Sequence, residues 1–333
     1  MGCFLKMKRH TIVMLVSFIS VILLLSGCGD KEGVANDDYP NKSITLIVPF
    51  ASGGGTDAVA RAVGNELSSE LGVDVIIENR EGGQGANGMN EGLNAEPDGY
   101  TLTTVTREAV SLPLLGTAPF ETSEFNYVAN VESDPAVLVV PEDSKYETLD
   151  DLTEEIKQNP GDLIFAASVM PNYYAIQYSE EADLDFITSP YDGAAPAIKD
   201  LLGGRADFGL YNPAEVESQV LGEELKPLAV MDDERVDLEG FEDTPTFEEE
   251  GLDIQSGSYR GIGVPSDTPQ EVIETLEEAI KNITEDSEFI EFMDDSYLTI
   301  DYLNSEDFTE KVEEDEVELE PIIEIAKEND EDE

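Results

Sequence analysis

Residues 43–71 constrain the fold most, because they read as a strand, a glycine loop and a helix in direct succession. The apolar run SITLIVPF is typical of a buried strand, and AVARAVGNELSSEL places apolar residues at helical spacing. Gly53–Gly55, Thr56 and Asp57 stand between them. The N–H groups that begin a helix are unpaired and carry partial positive charge, and glycines let a ligand approach them. The unit therefore predicts either an anion site that needs no basic side chain, or a tight turn capped by Thr56 or Asp57.

The charge is the extreme feature of the composition, at a formal -57 over 333 residues. It argues against nucleic acid and anionic lipid surfaces as partners. Self-repulsion of this size opposes folding at low ionic strength, whereas at ~1 M salt the Debye length shrinks to roughly 3 Å. We therefore expect an acidic, halophilic protein that works in brine. The apolar fraction of 40% suffices for a hydrophobic core, and the length suffices for two α/β domains.

The amino terminus predicts export. A basic region with Lys6, Lys8 and Arg9 precedes the apolar run Thr11–Leu25 and the tetrapeptide LSGC, which ends at Cys28. This order is typical of a signal peptide, here residues 1–27, and LSGC resembles a lipoprotein signal in which Cys28 becomes lipidated. Residues 28–38 would then form an acidic tether that holds the protein at the outer face of the cytoplasmic membrane. The alternative is an uncleaved membrane anchor.

Cysteine and histidine are nearly absent. Cys3 and His10 lie in the leader, and Cys28 is the predicted lipid attachment site. The rest of the chain therefore has no disulfide, no Ser-His-Asp or Cys-His nucleophile, and no thiolate or histidine zinc ligand. We predict no metal and no catalytic residue. Carboxylate-pair chemistry is formally open, but in so acidic a chain no pair stands out.

The remaining segments alternate strands and helices, which predicts largely parallel sheets with ligands beyond the strand carboxyl ends. Gly83, Gly85 and Gly88 match the dinucleotide-binding pattern, but they follow the second strand (73–78), which is also predicted to be buried, instead of the first. We interpret them as a turn into a helix over 86–94 and expect no cofactor. Further strands are predicted at 100–106, 163–168, 208–211 and 228–231, helices at 149–156, 194–202, 308–326 and after Pro269, and chain crossings at 136–140 and 254–264.

Six stretches, in this order, carry a resemblance to a known family: VPFASGGGTDAVAR, ENR, EPDGYTL, LVVPEDS, SPYDGAAPAIKDLLGGRADF and GVPSDTP. Together they resemble the substrate-binding proteins of tripartite tricarboxylate transporters, the Bug or TctC-like extracytoplasmic solute receptors. The resemblance covers roughly residues 39–308.

The resemblance implies a two-domain α/β fold of the type II periplasmic-binding-protein kind, with two mixed, mostly parallel sheets joined by a hinge that the chain crosses twice. Domain 1 would comprise residues 39–136 and 257–333, and domain 2 residues 137–256. It also implies a monomer without enzymatic activity or cofactor that captures a small organic carboxylate between the domains. The protein would deliver this ligand to a membrane permease of the tripartite tricarboxylate type.

The resemblance also places the ligand. The loop Ser52–Asp57 falls on the family's carboxylate-binding loop, although Ala51 and Ser52 stand where prolines are typical. The second loop, Ser168–Tyr173, departs from the family's small-residue segment. We expect Pro171, Asn172 and Tyr173 to start a helix that faces the cleft, with Asn172 as its cap. Arg107 and Arg260 are interpreted as clamps for a distal carboxylate, with pairing to a nearby acid as the alternative. The predicted ligand-binding residues are Ser52, Gly53, Gly54, Gly55, Thr56, Asp57, Thr106, Arg107, Ser168, Asn172, Tyr173, Asn212 and Arg260.

Two other classes of function remain open at this point. One is a sensor module that passes ligand occupancy to a membrane receptor. The other is a secreted enzyme that acts on carboxylates, against which the lack of histidine and thiol argues.

Overall fold

The computed structural model describes residues 39–191 and 193–331. The signal peptide 1–27, the lipidation site Cys28 and the tether 28–38 lie outside the described residues, so these predictions stay predictions.

The described strands are β1 (Ile44–Val48), β2 (Val75–Asn79), β3 (Thr101–Thr106), β4 (Phe125–Pro135), β5 (Val137–Pro141), β6 (Ile164–Ala167), β7 (Ile187–Pro190), β8 (Gly209–Tyr211), β9 (Leu225–Val230), β10 (Gly257–Pro265) and β11 (Ile300–Leu303). The described helices are α1 (Gly55–Leu71), α2 (Ala86–Leu93), α3 (Glu108–Leu115), α4 (Leu149–Gln158), α5 (Tyr173–Ala182), α6 (Ala194–Leu202), α7 (Pro213–Leu221), α8 (Gln270–Thr284), α9 (Ser287–Asp295) and α10 (Ser305–Glu331).

The larger sheet has the strand order β11-β4-β10-β3-β1-β2. Strand β1 is parallel to both of its neighbours and is buried on both faces, as its apolar run predicts. Strand β2, in contrast, was expected to be buried but is partly exposed, with Ile76 at 48%. The reason is its place at the sheet edge, where only one side is covered by a neighbouring strand.

Helices cover both faces of this sheet. The helices α1, α8 and α9 pack together on the face that carries Arg260, while α2, α3 and α10 pack on the opposite face. There the ring of Phe308 meets Tyr127 at 5.3 Å and Tyr259 at 5.6 Å between centroids, both edge to face. Gly261 allows this packing, because a Cβ at that position would lie 2.3 Å from the Phe308 ring.

The second set of strands is smaller. Strand β5 is antiparallel to β8 and β9, and β6 is parallel to β7. A bridge between Phe165 and Phe208 places β6 beside β8. The apolar residues of β5, β8 and β9 are buried, and Phe165, Phe208 and Tyr178 of α5 are among the largest buried side chains of this part of the chain, whereas Ile187 of β7 is 50% exposed.

The chain crosses between the two sets of strands twice, and the crossings lie side by side. Pro135 at the end of β4 pairs with Gly257 at the start of β10, and the Ala136 N–H donates to the Ser256 carbonyl at 2.9 Å. Strand β4 leaves the large sheet where β10 returns to it, so the two strands are antiparallel. The sheets are therefore mixed, as expected. The expectation that parallel pairing predominates is wrong, because β10 is antiparallel to both neighbours and β5 is antiparallel to both of its own.

The last helix links the two lobes of the molecule. The first lobe is the larger sheet with its helices, and the second lobe is the smaller set of strands with its helices. Helix α10 packs on β4 and α3, and farther along it contacts α5 of the second lobe. The described residues from Pro40 onward accordingly form one compact unit. The proposed limits of the two domains, 39–136 with 257–333 and 137–256, remain a prediction. Within the described part of the chain, no helix has the length and apolar character needed to traverse a bilayer.

Candidate functional site

The start of α1 is open to solvent and has no side-chain cap. Gly54 is the N-cap residue, with extended backbone angles, and it has no side chain that could accept from the first turn. The N–H groups of Gly55, Thr56 and Asp57 have no acceptor among the described residues. Residues 51–55 are exposed. A helix start in this state attracts an anion through its N–H groups and its dipole.

Asp57 holds this loop in shape instead of facing solvent. Its carboxylate accepts from the Gly53 N–H at 2.8 Å, from Arg61 at 2.9 Å and from Asn79 Nδ2 at 2.8 Å. Gly53 has φ +91°, a conformation that favours glycine. The hydrogen bond from Arg61, helped by those from Asn79 and Gly53, lowers the pKa of Asp57 to about 2. Asp57 is therefore ionised at neutral pH and already occupied by protein donors.

Arg260 lies directly beside the helix start. A Cβ built on Gly55 would be 3.2 Å from Nη2 of Arg260, so glycine at this position allows the close approach. Nε of Arg260 is 3.3 Å from the Thr56 hydroxyl oxygen. Among the described residues no acceptor is in hydrogen-bond range of Nη2. The Nη2 end of the guanidinium thus remains available next to the open N–H groups of α1.

The Nη1 end of the guanidinium contacts two buried acids. Nη1 of Arg260 donates to the two carboxylate oxygens of Glu132 at 2.7 and 2.6 Å, and it is 3.3 Å from Asp134 Oδ2. Glu132 is 0% and Asp134 2% exposed. Burial raises the pKa of both carboxyl groups, and Arg260 opposes the rise. The Arg260 charge therefore faces two carboxyl groups that solvent does not reach.

Two more of the predicted residues border this group. Thr106 pairs with Arg260 across β3 and β10, and its hydroxyl donates to Glu108 Oε2 at 2.5 Å. Asn212 Nδ2 donates to the Asp134 carbonyl at 2.6 Å, which ties the start of α7 to the crossing strands. The Asn212 N–H also donates to Glu215 Oε2 at 3.1 Å, as part of a capping box.

Arg107 has a different environment. It is buried and donates to Asp315 through Nη2 at 2.7 Å, to Ser256 Oγ at 2.8 Å and to the Gly257 carbonyl at 3.1 Å. Together with Asp315 and Tyr259 it lines a cavity of about 140 Å³ between the crossing strands and α10. In this structure Arg107 is paired with an acid, which was the alternative to its role as a ligand clamp. None of its N–H groups is aimed at the α1 start.

The second loop lies at the start of α5. Asn172 caps this helix as expected, since its Oδ1 accepts from the Ala175 N–H at 3.0 Å. Tyr173 packs against the aromatic and aliphatic core of the first lobe. The carbonyl of Ser168 accepts from the Gly193 N–H at 3.0 Å. These contacts bring the loop to the junction of the lobes, and contact with a ligand there stays a prediction.

The structure thus brings together residues that are far apart in sequence: the loop 52–57, Thr106, Asn212 and Arg260. Sequence reasoning missed four acids beside them, Glu108, Glu132, Asp134 and Glu215. Strand β4 carries two of these, and four of its five even-numbered positions are polar: Asn126, Asn130, Glu132 and Asp134. This alternation was the available signal for a strand with one polar face.

Chemically, the arrangement can hold an anion between the α1 start and the free Nη2 of Arg260. It offers no nucleophile activated by an imidazole or a thiol, since residues 39–331 contain neither histidine nor cysteine. In the part of the chain that the structure describes, no cluster of three or more acidic or other ligating side chains is arranged to bind a metal ion.

Comparison with known proteins gives the family. Residues 59–327 match the model of the tripartite tricarboxylate transporter family receptor, TctC. A protein encoded in the ttuE–ttuC' intergenic region of Agrobacterium vitis is 31% identical over 265 residues, which covers 77% of this chain and 75% of that protein. BugT of Bordetella pertussis is 29% identical and covers 81% of this chain and 84% of BugT.

Solved structures agree in fold. The ligand-free TctC solute-binding protein from Polaromonas superposes with a TM-score of 0.80 at 29% identity, covering 86% of this chain and 99% of that one. Its likeness supports the two-domain, type II-like fold that was expected from the sequence. The chain belongs to the TctC family of tripartite tricarboxylate transporter receptors.

Proposed function

We propose that this protein captures a small organic carboxylate between its two lobes and delivers it to a membrane transporter of the tripartite tricarboxylate type. One carboxylate group of the ligand binds at the start of α1, on the N–H groups of Gly55–Asp57, with Nη2 of Arg260 beside it. The protein performs no chemistry on the ligand.

The observation that carries this proposal is the uncapped, exposed start of α1 with a guanidinium next to it. A helix start without a cap leaves several orphan donors, and a nearby cation adds to the attraction for a carboxylate. The hydrogen bonds that Asp57 accepts from Gly53, Arg61 and Asn79 keep the loop in this shape and leave the N–H groups of the first turn open.

Relatives in the same fold class support the type of ligand. A Rhodopseudomonas palustris protein was solved with adipate and another, MatC, with malate; they superpose on this chain with TM-scores of 0.72 and 0.69. Both ligands are carboxylates. The family's membership in transporter systems supports a permease as the partner, and the LSGC tetrapeptide that ends at Cys28 supports attachment to the outer face of the membrane through lipid.

Binding can be tested at the helix start without damaging the fold. Gly54 has angles that an L-residue adopts, and a Cβ there would meet only the Ala51 carbonyl, at 3.8 Å. Gly54→Asp supplies a carboxylate at the N-cap, which stabilises a helix and fills the anion site from within. We expect this variant to keep or raise its melting temperature and to lose at least about tenfold in affinity for carboxylates, measured by calorimetry in molar salt.

Gly54→Ala is the matched control, since it adds a Cβ but no acceptor, and it should bind as the unchanged protein does. Equal binding of carboxylates by Gly54→Asp and the unchanged protein would contradict the site. Binding of neutral sugars with no binding of any acid would contradict the class of ligand.

A further inference from the structure

We propose that binding of the ligand carboxylate at the α1 start is coupled to the uptake of a proton by the buried acids Glu132 and Asp134. The inference rests on the proposed function and adds a form of regulation to the same site. The ligand and the two acids would share one guanidinium, that of Arg260. The affinity for a carboxylate should therefore fall as the medium becomes alkaline.

Arg260 has too few N–H groups for the carboxyl oxygens around it. Its Nη1 carries two N–H groups. Three carboxyl oxygens lie within range of that nitrogen: both oxygens of Glu132 at 2.7 and 2.6 Å, and Oδ2 of Asp134 at 3.3 Å. The other oxygen of Asp134, Oδ1, is buried without a hydrogen-bond partner among the described residues. If both acids were ionised, one buried negative charge would lack a donor, and a proton on the pair removes that charge.

The charges that surround this group favour the protonated form. Arg260 on β10 opposes the protonation of both acids. Beside Arg260, the charged groups near the two acids are carboxyl groups from three other elements: Asp301 of β11, Glu215 of α7 and Glu108 of α3. Each of them makes a second ionised carboxyl at this place less favourable.

The other elements packed around the group bring no additional free cation to it. Strand β3 carries no titratable residue, and the buried positions of α8 are apolar except for one threonine. On the opposite face of the sheet, α10 places Asp315 against Arg107 and Lys311 at 3.8 Å from Asp301. At the α1 start, Asp57 already accepts from three protein donors. Arg260 is therefore the cation that a ligand and the two acids would share.

A ligand carboxylate would be the third carboxyl group on this guanidinium. Nη2 lies beside Gly55 at the α1 start, and Nη1 lies against Glu132, so the two nitrogens connect the ligand site to the buried acids. A like charge within about 4–6 Å raises the pKa of a carboxyl group. The complex therefore holds a proton at a pH at which the ligand-free protein has lost it.

The pH range of the effect follows from the ligand-free protein. Burial, opposed by Arg260, raises the pKa of Glu132 to about 8, and burial also raises the pKa of Asp134. Below about pH 7.5 most of the ligand-free protein already holds the proton, so binding is strongest there. Above about pH 8 the ligand-free protein loses the proton and binding has to restore it, so the affinity falls as the pH rises.

The test counts protons by calorimetry in molar salt. Acetate, malate, adipate and tricarballylate serve as probes, and all four are ionised from about pH 7.5 to about pH 9. Binding enthalpies at about pH 8.5 in two buffers of different ionisation enthalpy give the protons taken up per ligand. For each probe that binds, we expect an uptake of about half a proton or more. The affinity should be at least about threefold weaker at pH 9 than at pH 7.5.

Two variants identify the groups that take up the proton. Glu132→Gln resembles the protonated acid at every pH and leaves Asp134 as the single acid on Arg260. This variant should take up no proton, and it should bind the probes at pH 9 at least about threefold tighter than the unchanged protein. Asp134→Asn removes the like charge beside Glu132, so uptake at about pH 8.5 should fall at least about twofold.

Asp232→Asn is the matched control. Asp232 is a half-buried acid whose carboxylate accepts from the Asp233 N–H at 2.9 Å and which lies near Lys311, not on Arg260. Its replacement should leave both the proton uptake and the pH dependence of the affinity unchanged.

The outcomes separate this inference from the function it rests on. If the probes bind, and Gly54→Asp loses that binding, but no proton is taken up at about pH 8.5, the proposed function stands and the inference is wrong. Uptake that persists undiminished in both Glu132→Gln and Asp134→Asn would also overturn it. If no probe binds, or if the probes bind Gly54→Asp as well as the unchanged protein, the carboxylate site falls and the inference falls with it.

Discussion

Arg260, Glu132 and Asp134 occupy neighbouring positions on β10 and β4, and burial decides how the three behave. Arginine keeps its charge, whereas a buried carboxyl can give up its charge by taking a proton. With two acids on one guanidinium, the group is balanced when one of the acids is protonated. Burial of these acids beside Arg260 therefore predicts that the stability of the fold depends on pH.

The first prediction concerns Glu132. Burial, opposed by Arg260, raises its pKa from an ordinary 4.5 to about 8. A raised pKa means that the stabilising contribution is complete below the ordinary value and is lost as the pH rises through about 8. Glu132→Gln resembles the protonated acid at every pH. We expect it to match the unchanged protein near pH 5 and to become more stable than it by roughly 2 kcal/mol near pH 9.

Thermal or chemical unfolding across this pH range, in constant molar salt, measures the difference. Glu250→Gln, which removes an exposed carboxylate, is the control variant measured beside it. A constant difference between Glu132→Gln and the unchanged protein would show that Glu132 remains ionised throughout.

At the scale of elements, the helix starts divide into two types. Helices α4 and α5 begin with side-chain caps: Thr148 Oγ1 accepts from the Asp151 N–H at 3.2 Å, and Asn172 Oδ1 accepts from the Ala175 N–H at 3.0 Å. Helix α1 begins at Gly54 without one. Helices α2, α3, α6 and α8 also begin without a side-chain cap, so the start of α1 is set apart by its exposure and by the neighbouring Arg260. A cap stabilises a helix, whereas an uncapped start keeps its donors for another acceptor.

The second prediction uses the two caps to ask whether Asn172 also contacts the ligand. Replacing either cap with alanine should cost about 1 kcal/mol of stability, because each change leaves a helix N–H without its acceptor. Asn172→Ala should in addition weaken carboxylate binding at least about threefold, since Asn172 stands at the junction of the lobes and its Nδ2 is buried without a partner. Thr148→Ala should not change binding. Equal affinities of the two variants would restrict Asn172 to its role as a cap.

At the scale of the whole molecule, charge dominates. The formal charge is -57, and the part of the chain after the leader is more negative still. Many of these acids lie on the exposed faces of helices, where repulsion between them is strong in dilute buffer and weak in brine. The two lobes share this sign, so low salt opposes both their folding and their approach to each other.

The third prediction follows from this repulsion. The melting temperature should rise continuously from about 0.1 M to about 2 M NaCl, because screening removes self-repulsion. Sucrose at matched water activity is the control, since excluded solutes stabilise a fold without screening charge. The increase in NaCl should exceed the increase in sucrose clearly. Equal increases, or none in NaCl, would contradict the assignment to a high-salt environment.

The sequence by itself determined the local structure around the site. The apolar run and glycines of residues 43–71 predicted β1, the loop and α1, because helix and strand periodicity are local properties. Helix α6 was placed at Ala194–Leu202 and the Asn172 cap was recognised for the same reason. The order of the six family-like stretches indicated the family, and the family supplied the two-lobed fold.

Only the tertiary structure decided which charges meet. Arg107 and Arg260 looked alike in sequence, yet Arg107 is bound to Asp315 from α10, 208 positions away, and Arg260 faces the α1 start. Glu132 and Asp134 were indistinguishable from the other acids of an acidic chain until β4 paired with β10. Ion pairs depend on through-space distance and burial, which strand register fixes and local composition does not, and for this reason the electrostatics of the site emerged only from the fold.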